Sequence, residues 1–128
     1  MKNFTTKEQS EELLRLGLKE ETADCFYNAD GDCVVKTNGY TKSEGDTPCW
    51  SMGAIANVCN FNEVNKACLS DGWRVSSSFS SKTDKDLFAA FFGFLCWMLE
   101  HEYVNKLYQH KMAYKDNGNG TYERIIKY

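Results

Sequence analysis

The chain has a single proline, only two histidines and no apolar run long enough to cross a bilayer. Its longest such run, Leu87 to Leu99, is 13 residues, where a transmembrane helix needs about 20; a buried core helix suits it. Behind its basic residue the N-terminus, MKNFTTKEQSEELL, carries no apolar stretch, so it does not read as a secretory signal, and a cytoplasmic location is expected. Six cysteines occur, at 25, 33, 49, 59, 68 and 96, without a C-x2-C or C-x4-C knuckle and without a histidine nearby. That spacing gives no metal site and no cofactor, and in a reducing compartment the thiols are expected to be free, acting as small buried hydrophobes. Phosphate-binding glycine loops, the G-x-S-x-G elbow and H-E-x-x-H are missing as well. The paired acids Glu11-Glu12, Glu20-Glu21 and Glu100/Glu102 lie on charged helix faces, where a solvated face explains them better than acid–base work.

What is present suits a folded protein. At 128 residues, with 42% hydrophobic, 14% aromatic and 26% charged side chains, the chain fits one domain spanning 1–128 with a conventional core. The net charge of −3 argues against a dedicated nucleic-acid binder, but the charge is polarised. In 103–128, Lys106, Lys111, Lys115, Arg124 and Lys127 outnumber Asp116 and Glu123, a local +3 that leaves −6 on residues 1–102.

Along the chain, Thr5-Thr6-Lys7-Glu8 reads as a capping box opening a first helix, with Leu13, Leu14 and Leu16 inward and Gly17 as its left-handed stop. Lys19 to Tyr27 reads as a second short helix, making a helical hairpin. The stretch from Asn28 to Asp32 reads as a turn into a strand, Cys33 to Thr37; it resembles half a calcium loop, but Cys33 and Gly39 occupy positions that need glycine and glutamate. A polar loop follows, then a helix over Ser51 to Cys59. Val64 to Leu69 and Trp73 to Phe79 flank an Asp-Gly hairpin signal. Thr83 or Asp84 caps the strongest helix, which runs to about Glu102 and is apolar round most of its circumference. The tail alternates into a terminal hairpin across Asn117-Gly118-Asn119-Gly120, while residues 103–110 suit either an extension of the helix or the start of a strand.

Two constellations offer chemistry. Pro48 precedes a Cys-Trp pair at an apparent helix entrance, and a cysteine there can act as a papain-like nucleophile given a histidine to take its proton. The candidates are Cys49 with His101 or His110. Against this, neither histidine falls on the strands expected after that helix, and a second pair, Cys96-Trp97, sits inside the main helix, so the dipeptide reads as structural. The second constellation is the basic, tyrosine-rich tail, in which Tyr108, Lys111, Tyr114, Tyr122 and Arg124 are candidates for holding a protein partner or stacking single-stranded bases. An edge hairpin guarded by lysines uses the same residues.

Three stretches, FTTKEQSEELLRLGLKEETADCFY (4–27), DTPCWSMGAI (46–55) and Cys96-Trp97-Met98-Leu99-Glu100 after a hairpin bearing Asp71-Gly72-Trp73, carry a likeness. Their order resembles a family of small uncharacterised proteins of phage or mobile-element type from anaerobic gut bacteria, across about two thirds of the chain. The resemblance implies that genomic context and an α+β domain, with the tail as an extension, and carries over no catalytic residue. The expectation is an α+β fold: an N-terminal helical hairpin and a long central helix packed against a small antiparallel β-sheet. The expected function is a non-catalytic accessory or protein-interaction protein with an unknown protein partner. Cysteine hydrolysis through Cys49 and nucleic-acid binding through the tail are the alternatives.

Overall fold

Helix α1, Lys7–Arg15, is opened by Thr6, whose hydroxyl accepts from the Gln9 amide while the Gln9 side chain accepts from the Thr6 amide. The box therefore stands one residue later than Thr5–Glu8. Both registers satisfy the pattern, and the Thr5 hydroxyl is taken elsewhere: it accepts from the Trp50 amide at 3.0 Å and pairs with Ser10 at 2.8 Å. The helix ends in a Schellman motif, with Leu18 N–H on Leu13 O and Gly17 N–H on Leu14 O, and Gly17 in the left-handed region at φ +94°. The computed structural model describes residues 4–37, 40–59, 65–69, 72–76, 81–84 and 86–126.

Lys19 to Tyr27 does not form a helix. It holds one 3-10 turn, Glu20–Thr22, and then strand β1, Cys25–Tyr27. Cys-Phe-Tyr leans toward extended backbone, and two strands bond to it, β2 (Cys33–Val35) and β3 (Thr47–Cys49), in the order β2-β1-β3. There is accordingly no N-terminal helical hairpin. Between β1 and β2 the Asn28 side-chain Oδ1 accepts from the amides of Asp30 and Asp32, each at 3.0 Å, and so makes the expected turn. Pro48 is a strand residue rather than a helix-entry residue; β3 lies at the sheet edge, where a missing amide donor is tolerated. Ser51 then caps α2, Met52–Val58.

A second antiparallel sheet, ordered β4-β5-β6, comprises Asn65–Leu69, Gly72–Ser76 and Ser81–Asp84. Leu69 lies opposite Gly72, as the hairpin reading expects; Val64, Ser70-Asp71 and residues 77–79 fall outside the described residues. Thr83 and Asp84 belong to strand β6, which pairs with β5, and the cap of the following helix is Asp86 instead. That helix, α3, spans Leu87–Glu100, and every residue from 87 to 99 is buried or half-buried. It packs on β5, β6 and α2. Phe88, Phe91, Phe94, Leu95 and Leu99 share one buried cluster with Leu13, Leu16, Trp50, Ile55 and Val75. No helix among the described residues is long and apolar enough to cross a membrane.

Residues 103–110 neither prolong α3 nor form a strand. Helix α3 ends in its own Schellman motif, with Tyr103 N–H on Met98 O and Glu102 at φ +58°, and the chain reverses. It then lies along the end of α1: Lys19 N–H bonds Tyr108 O and His110 N–H bonds Gly17 O, each at 2.8 Å. The buried Gln109 amide donates to both Leu16 O and Leu99 O at 2.9 Å, tying the ends of the two helices together. Strands β7, Met112–Asp116, and β8, Tyr122–Ile126, close the chain as the expected hairpin. The architecture is mixed α/β, with three small antiparallel sheets among the described residues instead of one.

Candidate functional site

Cys49 lies on β3, three residues before the first residue of α2, with Trp50 and Ser51 between. Trp50 is wholly buried; its indole donates to Thr22 Oγ1 at 2.8 Å, and that hydroxyl donates to Lys19 O. Ser51 is held through its amide and hydroxyl by Asp24, at 3.0 and 2.5 Å. These bonds fix the exit of β3 and with it the Cys49 side chain.

Strand register decides what Cys49 meets. It stands directly opposite Cys25 on β1, while Cys33 on β2 stands opposite Tyr27. Cys25 and Tyr27 are two apart, so they point to the same face of the strand, and directly opposed residues share a face. Three thiols from three adjacent strands therefore converge: their sulfurs all lie within 4.8 Å of one another, with Cys33 and Cys49 at 3.3 Å. Cys25 and Cys49 are buried and Cys33 is exposed. Burial pushes the Cys25 thiol up to about 12, with the Asp24 and Cys33 charges adding to it. Burial, then its bond to Cys33, raises Cys49 far above the ordinary thiol value. Tyr27, whose hydroxyl donates to Thr5 O at 2.6 Å, is raised by burial and by the neighbouring thiols.

The proposed bases lie elsewhere in the fold. His101 caps α3, its Nδ1 2.9 Å from Trp97 O and its ring stacked on Trp97 with centroids 4.4 Å apart. His110 follows Gln109, and both histidines line one open hollow of about 780 Å³ with Lys19, Lys106 and Lys111. The groups acting on the Cys49 thiol are Cys33 and Cys25, not an imidazole. Cys96 and Trp97 lie inside α3 and are half-buried; burial pushes Cys96 up to about 12, and Trp97 stacks on Tyr103 as well as on His101.

Of the tail candidates, Tyr114, Tyr122 and Arg124 share one face of the hairpin, since Tyr114 pairs with Arg124 and Tyr122 with Asp116. Tyr114 and Tyr122 are 75% and 69% exposed. Arg124 is folded back: its guanidinium donates to Leu99 O at 3.0 Å and sits 3.6 Å from Glu102, with 13% of the side chain exposed. Tyr108 packs against the core, and Lys111 lies beside the hollow.

Sequence reasoning missed the partnership of Cys25 and Cys33 with Cys49. Reading Lys19 to Tyr27 as a helix concealed it; a strand there, joined to Cys33 by the Asn28 turn, places Cys25 and Cys33 on one face. Cys49 enters only through tertiary pairing. No protein-family model matches the chain, and searches of curated proteins and of solved structures return no match.

Proposed function

We propose that the chain is a non-catalytic protein-interaction protein, of the accessory kind carried by phage and mobile elements and acting in the cytoplasm. Its docking element in this reading is the C-terminal hairpin. The observation that carries the reading is the pair Tyr114 and Tyr122, two large amphipathic side chains on one face of a ribbon that pairs only with itself among the described residues. Tyrosines of this kind supply rigid contact area to a protein partner at low entropic cost, and the basic side chains around them favour an acidic partner surface. The thiol environment supports binding over hydrolysis. A nucleophile needs a lowered pKa or a base in reach, and Cys49 is raised by burial among other thiols.

A second reading, single-stranded nucleic acid, draws on the hollow lined by Lys19, Lys106 and Lys111, beside the stacked rings of Trp97, His101 and Tyr103. One comparison separates the two. Affinity capture from source cells is run with the native chain and with Tyr114→Ala/Tyr122→Ala, alongside retention on single-stranded DNA at low salt. A protein held by the native chain, released by the double variant and indifferent to nuclease supports the protein reading. Equal capture by both chains, or salt-dependent DNA retention without a protein partner, overturns it.

A further inference from the structure

Buried thiols are ordinary core residues when they are scattered. Here three of the six sit within 4.8 Å of one another, drawn from three strands that share no local sequence motif. We propose that Cys25, Cys33 and Cys49 form a three-thiolate binding site for a thiophilic metal ion, with Zn²⁺ as the expected occupant.

The geometry fits this chemistry. Zn–S bonds of about 2.3 Å at tetrahedral angles set sulfurs about 3.8 Å apart. The closest pair here stands at 3.3 Å and the widest separation is within 4.8 Å, so seating an ion takes sulfur movements of about 1 Å or less, within reach of side-chain rotation. Three sulfur donors favour soft cations over calcium or magnesium, which take oxygen ligands.

The scaffold holds the ligands in place before any ion arrives. Cys25 and Cys49 are direct cross-strand partners, and Cys33 is brought in by the turn that Asn28 closes. Access is provided too: Cys33 is exposed while the other two are buried, so an ion enters on the Cys33 side and its fourth position faces water there. Three protein ligands with one open position is the arrangement of an exchangeable or reactive site rather than a closed structural one. Uptake is a ligand exchange with no change in oxidation state. Three S–H bonds break, three metal–sulfur bonds form, and three protons leave to solvent for each divalent ion bound.

The full chain, reduced and stripped of metal, is titrated with Co²⁺ as a coloured stand-in and then with Zn²⁺. The expected result is one ion per chain with a thiolate-to-cobalt charge-transfer band that Zn²⁺ abolishes, and about three protons released per ion in weak buffer. Cys33→Ser, at an exposed position, keeps the fold by circular dichroism and weakens binding at least tenfold. Cys68→Ser, at an exposed cysteine on strand β4 of the second sheet, leaves it unchanged. Alkylation of the native chain adds a second readout: Zn²⁺ slows labelling of Cys33 and not of Cys68. The proposal is overturned if native protein shows no charge-transfer band. It is equally overturned by a band that survives Cys33→Ser at full strength, by loss of the band in Cys68→Ser, or by a Cys33–Cys49 disulfide whose reduction restores no metal binding.

Discussion

Gly17 is where the end of α1, the returning segment 108–110 and the terminal hairpin meet, and replacing it with alanine tests that junction. The residue is in the left-handed region at φ +94°, and a Cβ added there would stand 2.7 Å from Met112 Sδ, with Gln109 Cγ and His110 O each at 3.4 Å. Backbone strain for alanine in this region is about 1–2 kcal/mol. Relieving the sulfur contact requires Met112 to move by about 0.7 Å, and for a flexible methionine this adds about 1 kcal/mol, the low end of overpacking costs. Gly17→Ala should therefore lose about 2–3 kcal/mol, a large fraction of a small domain's stability. Gly118 is an internal control: it has φ +80° and nothing within 4 Å of an added Cβ. Gly118→Ala should lose only the backbone part, about 1–2 kcal/mol. Urea unfolding followed by circular dichroism measures both, with unchanged m-values. Met112→Ala combined with Gly17→Ala should recover about 1 kcal/mol as coupling, because the clash is gone. Equal losses at Gly17 and Gly118, or no coupling with Met112, would refute the packing of the hairpin against α1.

Two further outcomes follow from the same junction and from α1. Gln109→Ala leaves the buried Leu16 O without its side-chain donor, while Leu99 O keeps the Arg124 guanidinium, and at about 1–3 kcal/mol for an unsatisfied buried group it should cost about 1–3 kcal/mol by urea unfolding, with faster hydrogen exchange at the His110 amide. The Arg15 hydrogen bond, aided by its charge, holds the Glu12 carboxyl below its ordinary value. A lowered carboxylate pKa contributes stability above the unfolded pKa and loses it as pH falls through the folded one. With both side chains substantially exposed, Arg15→Ala should cost a few tenths of a kcal/mol at neutral pH and nothing below the carboxylate range, while NMR titration shows Glu12 moving up.

How far local patterns reach is seen best in α3 and the tail. An apolar circumference over Leu87 to Leu99 is a local property that only a surrounded helix satisfies, and the surrounded helix is there. The Gly17 stop, the Asn28 turn and the last hairpin rest on side chains acting within a few residues of themselves and stand as read, and the helix expected over Ser51 to Cys59 is found at Met52–Val58 with those two residues as its caps. Lys19 to Tyr27 failed for the opposite reason. Its composition allows a short helix, but two strands from later in the chain supply backbone partners and Asp24 is drawn to Ser51, so extended backbone wins.

The sequence by itself determined the mixed α/β character, the central helix, the absence of a membrane-length apolar helix among the described residues, and the basic tyrosine-bearing hairpin. All of these depend on composition, periodicity or turn chemistry within one short window. The full thiol cluster was decided by tertiary structure, because Cys49 joins Cys25 and Cys33 only through strand pairing. Cys25, Cys33 and Cys49 meet because β1 pairs on both sides, in a register set by a turn on one flank and by the Trp50-Ser51 anchorage on the other. A period-two strand sends a side chain to the opposite face with a shift of one residue. Cysteine spacing along the chain carries no such information, and only the pairing turns a cysteine beside a proline into one member of a three-sulfur site.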